Sequence, residues 1–377
     1  MLKSKKYDLI VVGAGITGTF CALHALNKKK SVLLIEKDNS PFESSFRNLG
    51  HINPSGQSFA KWFDISRKSL RIYQGLQENF DLTFSKTGTC YIAKSTQELT
   101  LLHELQALFE ERNYPAQLYS PADCKQLNPA LITNKIFGGI HLPNEGVVDS
   151  KEMTHRLRNH LISELGLHYK HNTLVVDVEK RRGIAKIVTS QQETIWADHI
   201  ILACGNQTQL LLPNHYPTEL LQKCQSQIIK LSPQRTQLKN TLISGASVEC
   251  FSSSQSCPSF DNSLPQDEIK LTIKQLKDGS VLLGETVRST CIQKQSDLGF
   301  ELSMEANSRL IEKAKTFIDL PAWDIESTWT NTYLEHVGDG VFSKTVDDII
   351  HILAGMGNKS ITTSPAYTQM YINQLYQ

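Results

Sequence analysis

The chain has no CxxC pair. Its eight cysteines, Cys21, Cys90, Cys124, Cys204, Cys224, Cys250, Cys257 and Cys291, are scattered, and the histidines complete no zinc-finger spacing. No metal is expected, and reduced, mostly buried thiols in a cytoplasmic protein are a simpler reading than a disulfide framework. An excess of charge is also missing. The 39 Lys and Arg against 38 Asp and Glu leave +1, which gives no argument for a nucleic-acid partner. There is no internal repeat and no low-complexity tract. Hydrophobic residues at 40% and charged residues at 20% exclude a mainly disordered chain, a collagen and a coiled-coil rod. The 377 residues fit two or three domains, or one interleaved pair with a large core.

Only one stretch approaches membrane-spanning length. Lys3, Lys5 and Lys6 precede the apolar run Leu9–Leu26, which has the outline of a signal peptide or a single span. Gly13, Gly15 and Gly18 interrupt it, His24 lies inside it, and a second apolar run, Ser31–Ile35, follows and ends in Glu36. A soluble, cytoplasmic protein with no membrane span is expected.

Tyr7–Val12 is short, apolar and β-branched, as in a strand buried on both faces of a parallel sheet. Gly13-Ala14-Gly15-Ile16-Thr17-Gly18 follows, then helix-forming residues over Thr19–Asn27, then the strand-like Ser31–Glu36. A lone GxGxxG is weak evidence. Here it lies between a strand and a helix, with an acid 18 residues after its last glycine, which is the context of a dinucleotide fingerprint. Gly13 permits the tight turn, Gly15 the approach of a pyrophosphate, and Gly18 close helix–strand packing. The helix N-terminus offers N–H groups to phosphate. Glu36 is placed to accept from ribose hydroxyls and disfavours a 2′-phosphate. An ordinary strand–turn–helix with convenient glycines is the alternative.

The fingerprint does not by itself choose between FAD and NAD. A late strand, Thr194–Ala203, runs into Cys204-Gly205 and resembles the flavoprotein pattern of a strand ending in Ala-x-Gly. With it the chain resembles the D-amino-acid oxidase superfamily of FAD-dependent oxidoreductases, which includes glycine oxidase and monomeric sarcosine oxidase. Four blocks carry the resemblance across nearly the whole chain: Gly13–Glu36; Ser44-Ser45-Phe46-Arg47-Asn48-Leu49-Gly50; Asp198–Gly205; and Gly355-Met356-Gly357-Asn358-Lys359-Ser360-Ile361-Thr362-Thr363-Ser364-Pro365. In the last block, His351–Ala354 reads as a strand. Thr362, Thr363 and Ser364 read as caps of a following helix, with Pro365 at an early helical position.

The resemblance implies an α/β fold. A Rossmann-type FAD-binding domain, from 1–90, 145–225 and 325–377, would interleave with a smaller α+β substrate domain, from 91–144 and 226–324, on a mixed or antiparallel sheet. Val147–Ser163 and Met304–Phe317 read as helices. Leu174–Val178, Ile269–Ile273 and Val281–Gly284 read as strands, the last two joined at Lys277-Asp278-Gly279. Ser252–Pro265, rich in Ser, Pro and Asn, is the expected mobile loop.

The resemblance also implies the site. FAD would be held non-covalently, since no cysteine follows Cys291. Gly13 to Gly18, Glu36, Lys37, Ser44, Ser45, Arg47 to Gly50, Val175, Ala203, Cys204, Gly205 and Gly355 to Ser360 would contact it. The reaction implied is oxidation of a small amine, amino acid or aminophosphonate, with electrons passing to oxygen or another acceptor. Lys359 would face an anionic group of the substrate, or be a solvated surface lysine. Arg47 would bind an anion or the flavin, or form a structural salt bridge. His51 would lie over the flavin, or be a packed histidine. Tyr333 and His336 lie where the family often places active-site groups. Two departures matter. Trp329–Leu334 contains no arginine, which weakens a carboxylate clamp. Gly146-Val147-Val148-Asp149 resembles a stretch of 2-hydroxy-acid dehydrogenases, the competing enzyme class. A non-catalytic flavin-binding subunit is the third reading. The serine-rich loop and the Gly-Met-Gly block resemble most a branch associated with phosphonate catabolism.

Overall fold

The computed structural model describes residues 6–261, 268–291, 298 and 301–377. Lys3 and Lys5 lie outside these residues, as does 262–265 of the stretch expected to be mobile.

One sheet grows around the opening strand. Lys6–Val12 lies between Val32–Ile35 and Thr194–Leu202, parallel to both. Ile350–Ala354 continues the sheet on one side and His168–Lys170 on the other, again in parallel. Phe342–Val346 pairs antiparallel with Ile350–Ala354, and a hairpin of Val175–Arg181 and Ile184–Thr189 pairs onto Thr194–Leu202. Side chains alternate into two cores. Leu9 and Val11 pack with Phe20 and Leu23 of the helix Ile16–Asn27. Ile10 and Val12 pack with Leu33, Ile35 and Ile200 on the other face. Covering both faces is what makes these strands read as unbroken apolar runs.

The second sheet runs in the order Ile325–His336, Leu221–Leu231, Val281–Cys291, Ile269–Gln275, Thr241–Ser244, Thr89–Ala93, Gly138–Leu142 and Gln117–Tyr119. It is mixed. Thr241–Ser244 runs parallel to Thr89–Ala93, and the other neighbours are antiparallel. Leu310, Ala314 and Phe317, in and just after the helix Met304–Lys315, pack on Ile229, Leu271 and Leu283. The strand Ile325–His336 belongs to this sheet, although 325 was expected to reopen the first domain. Its far end returns to the first sheet, where His336 N–H donates to Gly355 O at 3.1 Å.

Three local expectations are corrected. The helix expected over Val147–Ser163 runs Ser150–Leu165, because Asp149 Oδ1 caps it, accepting from Lys151 N–H at 2.9 Å and Glu152 N–H at 3.3 Å. Gly146–Val147 pairs instead with His51–Ile52. The C-terminal helix starts at Ser360, so Thr362, Thr363 and Ser364 lie inside it and Pro365 is its sixth residue. The described part of the loop Ser252–Asp261 is folded down: Ser253, Ser254 and Cys257 are buried, and Ser259 Oγ donates to Glu104 Oε2 at 2.7 Å.

Candidate active site

Four parallel strands deliver their carboxyl ends to one place. Val12, Ile35, Ala203 and Ala354 all line an open cleft with about 1210 Å³ of empty space. This is where open α/β sheets bind ligands.

The glycine loop forms its floor. Gly13 has φ +100°, and a Cβ there would lie 2.5 Å from Ala203 O. A Cβ on Gly18 would lie 1.9 Å from Gly13 O, so the helix seats directly on the turn. The helix Ile16–Asn27 has Gly15 as its N-cap residue and no acid in its first turn. Its positive end is therefore open to an anion. Ser45 Oγ accepts from Ile16 N–H at 2.9 Å. Glu36, at the end of the second strand, is 7% exposed and lines the cleft. Its carboxylate accepts from Ala14 N–H at 2.9 Å and Asp38 N–H at 3.2 Å.

Of the expected cofactor residues, Gly13, Gly15, Ile16, Thr17, Glu36, Lys37, Ser44, Ser45, Val175, Ala203, Cys204, Gly205, Gly355, Met356, Gly357 and Ser360 line the cleft together, and so does Tyr333. The remainder stand behind it. Ala14 and Gly18 shape the turn. Arg47 is a staple between its loop and the second sheet: Nε donates to Phe42 O at 3.0 Å, a terminal nitrogen to Thr330 O at 3.2 Å, and Arg47 O accepts from Trp329 Nε1 at 2.9 Å. Asn48 Nδ2 donates to Ser45 O at 2.8 Å, and its Oδ1 accepts from Gly50 N–H at 2.7 Å. Leu49 packs on Gly284, where a Cβ would come within 3.0 Å of it. Beneath this loop, Lys274 Nζ donates to Leu49 O at 2.9 Å and Val148 O at 2.7 Å. Burial pushes Lys274 down to about 8.

Lys359 is turned away from the cleft. Its Nζ pairs with Asp339 Oδ1 at 3.3 Å and lies 4.7 Å from the Trp62 ring centre. Burial lowers its pKa, and Asp339 acts the other way. Asn358 Nδ2 donates to Glu285. His51 does not line the cleft either. Pairing of His51–Ile52 with Gly146–Val147 sends the imidazole inward, where Nε2 meets Thr89 Oγ1 at 2.8 Å and Glu145 Oε2 at 3.8 Å. Burial, with Lys274, pushes it down to about 3. His336 is likewise inward, its Nδ1 buried beside Gly340.

Sequence reasoning missed Glu285 and Glu335. Both stand on the second sheet behind the lining, Glu335 against Gly357 and Glu285 against Asn358. Burial raises the pKa of Glu285, with Ser226, Lys270 and Asn358 beside it acting in the opposite sense. The signal was an acid placed one residue past an apolar run, Val281–Gly284.

The profile described as DAO, FAD dependent oxidoreductase, matches residues 8–372. Glycine oxidase from Bacillus cereus ATCC 14579 superposes with TM-score 0.80 at 17% identity, covering 98% of this chain and 95% of that one. L-proline dehydrogenase from P. horikoshii gives 0.80 at 16%, covering 99% and 94%. L-alpha-glycerophosphate oxidase from Mycoplasma pneumoniae, solved with FAD bound, gives 0.79 at 16%, covering 99% and 95%. In sequence, D-amino acid dehydrogenase of Neisseria meningitidis serogroup C is 25% identical over 193 residues, which is 49% of this chain and 46% of that protein. The match thus spans about half the length of that relative. Among the described residues, no helix is long and apolar enough to cross a membrane.

Proposed function

From a chain that belongs to the DAO family of FAD-dependent oxidoreductases, we propose an enzyme that oxidises the C–N bond of a small amine or amino acid to an imine. FAD, when bound, supplies the hydride acceptor and passes the electrons to oxygen or another acceptor. The observation that carries the reading is the convergence on one cleft of the glycine loop, Glu36, Ser45 and Tyr333, the last from the second sheet.

The fit of the dinucleotide supports it. The N-terminus of helix Ile16–Asn27 takes the diphosphate. Glu36 holds the ribose. The Ser44–Gly50 loop, braced by Arg47, Asn48 and Lys274, borders the ring system. The start of helix Ser360–Leu375, at Gly357 and Ser360, offers its positive end to the pyrimidine side. Tyr333 closes the far end and excludes water there. The FAD is non-covalent, no cysteine following Cys291, and the compartment is cytoplasmic, in keeping with seven free cysteines among the described residues.

The experiment is a visible spectrum of the purified protein, followed by anaerobic titration with amines, amino acids, aminophosphonates and 2-hydroxy acids. Bleaching by a C–N substrate is expected. Bleaching by hydroxy acids alone moves the protein to the hydroxy-acid dehydrogenases. No bleaching by either leaves a non-catalytic flavoprotein.

A further inference from the structure

The end of the cleft is acidic. Tyr333 and Gly357 line it from the second sheet and the last turn. Glu335 stands against Gly357, so close that a Cβ on that glycine would come within 2.6 Å of Glu335 Oε1. Glu335 Oε2 accepts from Gln222 Nε2 at 3.3 Å and from Cys224 Sγ at 3.4 Å. Glu285 is the extra residue of a bulge: Thr286 and Gly284 pair with the adjacent Gln227 and Ile228, and Glu285 pairs with nothing across the ladder. It is 6% exposed. Both carboxylates act on Tyr333, whose hydroxyl is pushed well above its usual range by burial first and then by these two charges.

A second observation, of a different kind, points the same way. Asn331 is 3% exposed and its Oδ1 has no hydrogen-bond partner among the described residues. Buried acceptors are rarely left so. Asn331 alternates with Tyr333 and Glu335 on one face of their strand. It pairs with Ser226, which lies beside Glu285. The orphan oxygen and the two carboxylates are all acceptors; the carboxylates have side-chain donors, and the Asn331 oxygen has none among the described residues. Lys359, the expected partner of an anionic substrate group, is already paired with Asp339.

We propose that this end of the cleft receives a cationic nitrogen. The substrate is a small amine with no carboxylate or phosphonate next to its nitrogen; Glu285 holds its ammonium with Asn331 Oδ1 beside it across Ser226, and Glu335, four residues along the strand from Asn331, adds negative charge at that end. This rests on the reading of C–N oxidation above. Charge-assisted hydrogen bonds are about twice as strong as neutral ones, and an anionic substituent here would face two like charges. Lys270, which acts on Glu285 from the neighbouring strand, is the competing route for an anion.

The test uses two probes of one shape that carry no oxidisable C–H beside the charged group, tert-butylamine and pivalate. Each is titrated into the FAD-loaded protein and read by the flavin difference spectrum. The cation is expected to bind at least about tenfold more tightly. Glu285→Gln is expected to weaken it by about 10- to 100-fold, and Glu335→Gln by about tenfold. FAD content and the circular dichroism of each variant should match the parent, which separates recognition from misfolding. Tighter binding of pivalate, its loss in Lys270→Met, no perturbation by either probe, or an unchanged cation affinity in a folded Glu285→Gln each overturns the proposal. The probes report without turnover, so bleaching by hydroxy acids alone would sink the C–N reading while leaving this one to be decided by the probe pair.

Discussion

The two ends of the cleft satisfy their carboxylates by different means. Glu36, at the nucleotide end, accepts from two main-chain N–H groups, those of Ala14 and Asp38. Glu285 and Glu335, at the other end, are met by the side chains of Asn358, Gln222 and Cys224. Those side chains come from strands and turns far apart in sequence. The nucleotide end is therefore a property of one local turn, which few substitutions leave intact. The far end is a property of strand register, where a side chain changes the ligand without changing the frame.

The sharpest way to break the comparison is Gly18→Ala. Alanine is the better helix former by roughly 1 kcal/mol, so local propensity alone favours the change. The new Cβ, however, would sit 1.9 Å from the main-chain oxygen of Gly13. Neither group is a flexible tip that can swing aside. We expect a loss of more than about 4 kcal/mol, at the exceptional end for one substitution, together with loss of FAD. The melting temperature and the ratio of flavin to protein absorbance check it. A stable, yellow Gly18→Ala would mean that the turn is not the rigid part.

His24 asks whether side chains also brace the nucleotide end. It is buried in the helix Ile16–Asn27, with Nε2 at 2.8 Å from Pro365 O. Burial pushes its pKa down to about 4, and the Pro365 carbonyl acts the other way. The unfolded chain takes up this proton near pH 6.5. Between about pH 6.5 and 4 the unfolded state holds more protons, so stability falls as pH falls, by about 2 kcal/mol at pH 5. His24→Gln should be less stable at pH 7 yet lose less between pH 7 and pH 5. Urea unfolding of both proteins at the two values measures the difference.

The same division decides what could be read from the chain. The opening strand, the glycine turn, Glu36 and much of the Gly355–Ser360 block meet at one cleft, and their pattern was legible because it lies in neighbouring residues. The mixed second sheet was legible only as a class. Arg47 and His51 were expected to meet the flavin or an anion, or to be structural, and their side chains turn to Thr330 O and to Thr89. A motif fixes a position along the chain and not the direction of a side chain. Lys359, expected to face a substrate anion or solvent, pairs with Asp339, which lies 20 residues away across a turn. Glu285 was invisible as a ligand because the bulge that presents it follows from pairing with Gln227 and Ile228, which the local pattern does not encode.

The smallest effect comes from the helix that closes the cleft. Pro365 lies inside the helix Ser360–Leu375 and has no N–H to give to Ile361 O. That carbonyl is met instead by Tyr73 Oη–H at 2.7 Å, and the next amide, Ala366 N–H, by Ser69 Oγ at 3.0 Å. Both partners belong to the helix Trp62–Asn79. The proline thus couples two helices by forcing side chains of one to complete the backbone of the other. Tyr73→Phe keeps the buried ring and removes only the donor, leaving one carbonyl unpaired. The expected cost is about 1–2 kcal/mol, with FAD content unchanged at room temperature. A variant with the parental melting temperature would show that the helix end relaxes to find another donor, and the nucleotide end would then be less rigid than its glycines imply.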